Sequence, residues 1–161
     1  MSLVIDTLRT STITEELNDA EVQILAALCE VQEFKAGQAI IRPGFDQPDN
    51  LYILGYGEVQ VKIQSIEGEA AIHVLKPGDL AGIITFVGGT SAHISATLTA
   101  IGETKVLSIP KAQFETLINT HPMIIYKVMR GVVRDVHGIV RRMNAQSAEL
   151  SNYIYRIHGR Y

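Results

Sequence analysis

The sequence predicts a mainly β fold with flanking helices (α+β), in which a small antiparallel sandwich or barrel precedes a long C-terminal helix. Short runs rich in β-branched residues, separated by turn signals such as RPG, GYG and KPGD, occupy residues 34–109. From Pro122 onward the apolar residues recur at helical intervals instead. At 161 residues the chain is long enough to bury a core as one domain.

The N-terminal segment, residues 1–33, is expected to be helical. Residues 12–30 carry apolar side chains at helical intervals, and Asn18 and Glu21 stand at the spacing of a capping box. The single cysteine, Cys29, lies in this segment and is expected to be a buried core thiol. One cysteine also excludes an internal disulfide framework.

Residues 34–109 are expected to form the strands of the barrel. The run VQVKIQ alternates strictly, with Val59, Val61 and Ile63 on one face and polar side chains on the other. The runs AAIHVL, HISATLTA and TKVLSI have similar length and composition. Several short strands at regular spacing are typical of an antiparallel sandwich or barrel.

Residues 110–150 are expected to be helical, and residues 151–161 form a tail. PKAQFETLINTH is a short helix opened by Pro110, and a longer helix runs from Pro122 to about Leu150. The apolar residues of the long helix recur at intervals of four and three, a heptad pattern that indicates a homodimer through this helix. The predicted seam consists of Ile125, Met129, Val132, Val136, Ile139 and Met143.

Two glycines of the long helix, Gly131 and Gly138, lie seven residues apart on the same flank. Each costs a helix about 1 kcal/mol relative to alanine, so close approach of another backbone is a reason to keep them. An alternative remains open at this point, in which the helix packs only on its own core and forms no dimer.

The net charge of −3 is unevenly distributed. Residues 121–161 hold seven basic and two acidic residues, a charge of +5, whereas residues 1–120 hold seven basic and fifteen acidic residues, a charge of −8. A basic C-terminal segment could contact nucleic acid, or it could pack against the acidic remainder of its own domain. Because the basic residues are spread out rather than bunched, we favour the second interpretation and expect no specific nucleic-acid partner.

The segment LCEVQEFKAGQAIIRPGFDQPDNLYILGYGEVQVKI resembles the opening of the cyclic-nucleotide-binding domain of the catabolite activator protein family. The match rests on Phe34, Gly37, Pro43–Gly44, Tyr52–Ile53 and Gly57, and KPGDLAG and PKAQF continue it. The resemblance implies a double-stranded β-helix, or jelly-roll barrel, followed by a dimerisation helix. A transcription factor of this family carries a DNA-binding domain after that helix, and only SNYIYRIHGRY follows here, so we expect none.

The resemblance places the family's phosphate-binding cassette on KPGDLAGIITFVGGTSAHIS. The family's ribose-binding Glu corresponds to Ile83 and its phosphate-binding Arg to His93, so the cassette is degenerate at both positions. Arg binds phosphate with two parallel charge-assisted hydrogen bonds, which His cannot supply. The implied ligand-binding set is Gly82, Ile83, Ile84, His93, Ile94, Ser95, Ile139 and Val140.

These residues favour a non-catalytic regulatory or sensor domain in the cytoplasm that acts in signal transduction. Tight binding of cAMP or cGMP is disfavoured, and the partner is a small molecule or a protein rather than a membrane. Two alternatives remain: a genuine cyclic-nucleotide receptor with an atypical cassette, and a structural dimerisation module whose pocket is filled. No motif for catalysis or for a metal site is found in the sequence.

Overall fold

The computed structural model describes residues 2–44, 48–90 and 96–158. A short 3-10 helix, Thr12–Thr14, lies between the first two α-helices. The α-helices are α1 (Ser2–Thr10), α2 (Asp19–Ala26), α3 (Ile83–Phe86), α4 (Lys111–Glu115), α5 (Leu117–Thr120) and α6 (Pro122–His158). The strands are β1 (Glu30–Phe34), β2 (Ala39–Ile41), β3 (Asn50–Tyr56), β4 (Val59–Ser65), β5 (Gly68–Leu75), β6 (Leu80–Ala81), β7 (Ala96–Ala100) and β8 (Thr104–Pro110).

The strands form two antiparallel four-stranded sheets, ordered β1-β8-β3-β6 and β2-β7-β4-β5. The predicted fold is therefore confirmed: a β sandwich of jelly-roll type followed by a long helix. Strand β3 shows how the sequence encodes the layers, because its side chains alternate between two cores. Leu51 and Ile53 pack toward the helices, whereas Tyr52 and Leu54 pack between the sheets. The sheet that contains β3 is thus covered on both faces.

The N-terminal segment differs from its prediction, because the expected helix over residues 12–30 is divided. The 3-10 helix begins after Ser11, whose hydroxyl accepts the amide N–H of Ile13. The capping box is confirmed where α2 begins: Asn18 accepts the amide of Glu21 at 2.8 Å, and Glu21 accepts the amide of Asn18 at 3.0 Å. Strand β1 then starts at Glu30, earlier than the predicted barrel boundary at 34.

The first half of α6 is held against the N-terminal segment by ion pairs. Glu16 accepts from Nε of Arg130 and from Nη1 of Arg134, each at 2.9 Å, and Lys127 contacts Glu21 at 2.8 Å. These basic side chains lower the pKa values of Glu16 and Glu21. The interpretation of a basic helix face that leans on the acidic body is therefore confirmed for this half.

Gly131 marks a second contact between α6 and the N-terminal segment. A Cβ atom on Gly131 would lie 2.4 Å from Cα of Ile13 and 2.6 Å from the carbonyl oxygen of Thr12. The close backbone approach expected at this glycine exists, but the neighbour is the 3-10 helix of the same chain. At Gly138 nothing lies within 4 Å of such an atom.

Helix α6 continues past the predicted end at Leu150 to His158, so most of the predicted tail is helical.

Among the described residues, no helix is long and apolar enough to cross a membrane. Within the same residues, no group of three or more His, Cys, Asp or Glu side chains is placed to hold a metal ion. Cys29, predicted to be a buried core thiol, is partly buried against the main core, and this burial raises the pKa of its thiol to about 12.

Candidate functional site

The β4–β5 hairpin supplies one wall of the candidate site. Its register pairs Val61 with His73 and then Lys62 with Ala71, so Ile72 is an extra residue in β5. Such a β-bulge breaks the strict alternation of side chains between the two faces. As a result Ile72 and His73, although adjacent in sequence, both line the same cavity.

The turn after β5 leads into the cassette. Oδ2 of Asp79 accepts the amide of Lys76 at 2.8 Å, which fixes the turn, and β6 follows. Gly82 then adopts a φ of 77°, and a Cβ atom there would lie 2.5 Å from the carbonyl oxygen of Asn50. Only glycine fits this position without strain. The short helix α3 begins immediately afterwards at Ile83, as the family resemblance implies.

A cavity of about 400 Å³ lies between this hairpin, the turn and α6. Its walls are mainly apolar, with charged side chains contributed by the turn and by α6. The lining residues are Val61, Ile72, His73, Leu75, Asp79, Leu80, Asp135, Ile139, Arg142, Met143 and Gln146.

Asp135 is the partly buried charge of this cavity. Burial raises the pKa of its carboxyl group, and the neighbouring charge of Asp79 raises it further. The hydroxyl of Thr12, which donates to Oδ1 of Asp135 at 3.5 Å, and the guanidinium of Arg142 oppose this shift. The 3-10 helix, the turn and α6 therefore meet at one carboxylate beside the cavity.

The structure brings only some of the predicted ligand-binding residues to this cavity. Ile139 lines it, whereas Ile83 packs against the main core. Ile84 and Val140 are exposed, and Gly82 precedes α3 as its N-cap. The remaining three predicted residues lie outside the described residues: His93, Ile94 and Ser95.

The charged residues of the cavity were not predicted as site residues. In the sequence Asp79 is part of the turn signal KPGD, and Asp135 and Arg142 are among the charged residues of the segment 121–161. A signal exists for the helix face: Asp135, Ile139, Arg142 and Gln146 follow one another at intervals of four, three and four. No comparable signal marks His73, because the β-bulge that places it depends on pairing with β4.

The residues of the predicted dimer seam differ in burial, and their contact with a second copy stays a prediction. Val132 is 2% exposed and belongs to the protomer's own core, together with Ile124 and Val128. Val133, one residue further, is 65% exposed. A second heptad set of large apolar side chains, which shares Val136 and Met143 with the predicted seam, is exposed in the single chain. It comprises Tyr126, Val133, Val136, Val140, Met143, Leu150 and Ile154.

Comparison of the sequence with protein families matches residues 31–121 to the cyclic nucleotide-binding domain. The cAMP-dependent protein kinase regulatory subunit of Eremothecium gossypii is 30% identical over 113 residues, which cover 70% of this chain and 23% of that relative. The HTH-type transcriptional regulator Cmr of Mycobacterium tuberculosis is 27% identical over 120 residues, covering 74% of this chain and 48% of the regulator. The chain thus spans less than half the length of either relative.

Solved structures share the architecture. The N-terminal domain of a transcriptional regulator from Streptomyces coelicolor A3(2) is 26% identical, with a TM-score of 0.71 over 86% of this chain and 95% of that one. The catabolite activator protein of Thermus thermophilus is 21% identical, with a TM-score of 0.68 over 85% of this chain and 63% of that one.

Proposed function

This chain belongs to the cyclic nucleotide-binding domain family, and from that premise we propose that it is a non-catalytic sensor domain that does not bind cAMP or cGMP tightly. A regulatory role is supported by its relatives, which include a protein kinase regulatory subunit and a transcriptional regulator. The single observation that carries the finer proposal is the chemistry of the cavity beside the cassette.

The walls of that cavity are poorly suited to a cyclic nucleotide. A cyclic phosphate is an anion, and Asp79 and Asp135 both line the cavity. Arg142 and His73 also line it, but both are exposed and neither belongs to the cassette. Ile83 stands where the family resemblance places the ribose-binding Glu, and its side chain packs against the core. A ribose hydroxyl therefore has no carboxylate at this position.

The open cavity favours a ligand-binding domain over a dimerisation module with a filled pocket. Its volume of about 400 Å³ falls within the range of small-molecule sites, which are concave and mostly apolar with a few polar groups. Six apolar residues and a small number of charged ones match that description. They are Val61, Ile72, Leu75, Leu80, Ile139 and Met143.

We further propose that the domain forms a homodimer through the exposed heptad set of α6. An exposed apolar stripe of this length on a single helix is typical of a coiled-coil seam. Met143 belongs to this stripe and also lines the cavity. A ligand that displaces Met143 would therefore change the proposed dimer contact directly.

Titration calorimetry with cAMP and with cGMP tests the proposed ligand preference. We expect no tight binding of either nucleotide, because an anion entering the cavity meets two carboxylates. A dissociation constant near or below about 1 µM for either nucleotide would contradict the proposal and support a genuine receptor with an atypical cassette.

Substitution of the two predicted cassette positions tests the same proposal by asking whether affinity for a cyclic nucleotide can be gained. Ile83→Glu together with His93→Arg restores the residue types of the family at positions inferred from the sequence resemblance. Because the two groups hold different parts of one ligand, we expect the double variant to gain more affinity for cAMP than either single variant. Circular dichroism establishes that each variant is folded. A folded double variant that gains no affinity would contradict the assignment of these positions.

A further inference from the structure

The cavity carries two carboxylates that come from different parts of the fold. Asp79 belongs to the turn before β6, and Asp135 belongs to α6. The carboxylate of Asp79 accepts the amide of Lys76, and that of Asp135 accepts the hydroxyl of Thr12 at 3.5 Å, a long distance for a hydrogen bond. These are the only hydrogen bonds to the two carboxylates within the described ranges, so both retain acceptor capacity.

The cavity lining carries the carboxylates of Asp79 and Asp135 against one guanidinium, that of Arg142, so these three charges sum to a negative value. The ionised form of Asp135 is disfavoured by burial and by Asp79, and the opposing effects of Thr12 and Arg142 do not cancel that penalty. A ligand with an anionic group here would add a third negative charge. The ammonium group of a ligand would instead be attracted by both carboxylates and would relieve their repulsion.

We propose that the cavity binds a ligand with an apolar body and one ammonium group, which lies between Asp79 and Asp135. This inference rests on the proposed function, since it takes the cavity to be the ligand site of the domain. The apolar body lies against Ile72, Leu80 and Ile139, which line the same cavity. Because Asp135 is on α6 and Asp79 is on the β sandwich, the bound ammonium links the helix to the sandwich.

A matched pair of probes tests this ligand class. Tryptamine and indole-3-propionate share one ring system, and at neutral pH the first carries an ammonium group and the second a carboxylate. We expect calorimetry to show binding of tryptamine and no measurable binding of indole-3-propionate at the same concentrations. Equal or tighter binding of the anion overturns the proposal, and so does an absence of tryptamine binding.

Charge-removing variants locate the ammonium group. Asp135→Asn and Asp79→Asn each keep the size of the side chain, and we expect each to weaken tryptamine binding about tenfold or more, the loss of one charge-assisted hydrogen bond. Glu149→Gln, an exposed change on α6 outside the cavity lining, is the control and leaves the affinity unchanged. Unchanged tryptamine affinity in both Asp variants, each folded by circular dichroism, overturns the proposal.

The nucleotide titrations keep this inference separable from the proposed function. If cAMP binds tightly and tryptamine does not, the proposed function and the inference both fail. If neither cAMP nor tryptamine binds, the proposed lack of tight nucleotide binding stands and the ammonium ligand is wrong.

Discussion

The two halves of α6 differ in how they contact the rest of the chain. From Pro122 to about Asp135 the helix buries Ile124, Val128 and Val132 in its own core and pairs its basic side chains with the N-terminal segment. Beyond that point every residue from 140 to 156 is exposed in the protomer, including large apolar ones. One continuous helix therefore joins a segment fixed by its own domain to a segment whose large apolar side chains are exposed in the described part of the chain.

The difference teaches that heptad periodicity alone does not identify a dimer seam. The first half carries both core residues, such as Val128 and Val132, and exposed ones, Tyr126 and Val133. From residue 140 onward the large apolar residues are exposed. The 3-10 helix against Gly131 decides which side of the first half faces inward. We expect substitutions of core residues and of exposed residues of α6 to separate folding from association.

The largest expected effect comes from Val132, a core residue of α6, and is compared with the effect of its exposed neighbour Val133. Val132→Asp places an unpaired charge in the core and should lower the free energy of unfolding by roughly 3–5 kcal/mol. Val133→Asp changes an exposed residue of the proposed seam, so the protomer should remain folded while the dimer dissociates. Chemical denaturation measures the first effect and light scattering at micromolar concentration the second.

Two outcomes would contradict this pair of expectations. A folded Val132→Asp variant that becomes a monomer would show that Val132 belongs to the dimer seam and not to the core. A monomeric mass for the unmodified protein would contradict the proposed dimer.

The next effect compares the two glycines of α6. Gly131→Ala brings a Cβ atom within 2.4 Å of Cα of Ile13 and should destabilise the fold by about 1–3 kcal/mol. Gly138→Ala meets nothing within 4 Å and should instead stabilise the helix by up to about 1 kcal/mol. Thermal unfolding of the two variants should thus shift in opposite directions. A shift in the same direction would mean that the contact with the 3-10 helix does not hold α6.

A smaller effect concerns Asp135, where the halves meet. Its pKa is raised in the folded state, so its ionisation begins to oppose folding as the pH rises past the pKa of the unfolded chain and does so in full above the folded-state pKa. Asp135→Asn should therefore raise the midpoint of thermal unfolding at pH 7. The gain should disappear in acid, below the ordinary pKa range of Asp, where the carboxyl group is protonated in both states. A midpoint that falls at pH 7 would show that the carboxylate stabilises the fold.

The smallest expected effect comes from the exposed ion pairs of the first half. Glu16 has a lowered pKa because of Arg130 and Arg134, so its contribution is present above the pKa of the unfolded chain and is lost as the pH falls. Glu16→Gln should lower the unfolding midpoint at neutral pH by no more than a few degrees, because exposed pairs contribute little. The difference should vanish in acid and shrink in high salt.

The sandwich could be predicted from the sequence, whereas the seam and the cavity could be predicted only in part. Val59, Val61 and Ile63 alternate within one strand, and such local patterns define a fold class. The choice between Val132 and Val133 depends on a contact with residues more than a hundred positions away. The cavity depends on the unpaired Ile72 in β5 and on the meeting of Asp79 with Asp135, and neither can be read from a single segment.

If α6 pivots at its contact at Gly131, that contact acts as the fulcrum of a long lever arm. The helix has 37 residues, and the arm from Gly131 to His158 is about 40 Å long at a rise of about 1.5 Å per residue. A tilt of about 10° at the fulcrum would carry the far end of that arm through roughly 7 Å, by the same helical rise. Asp135 lies about one helical turn from the fulcrum, so a sub-ångström displacement beside the cavity becomes a movement of several ångströms at the tip.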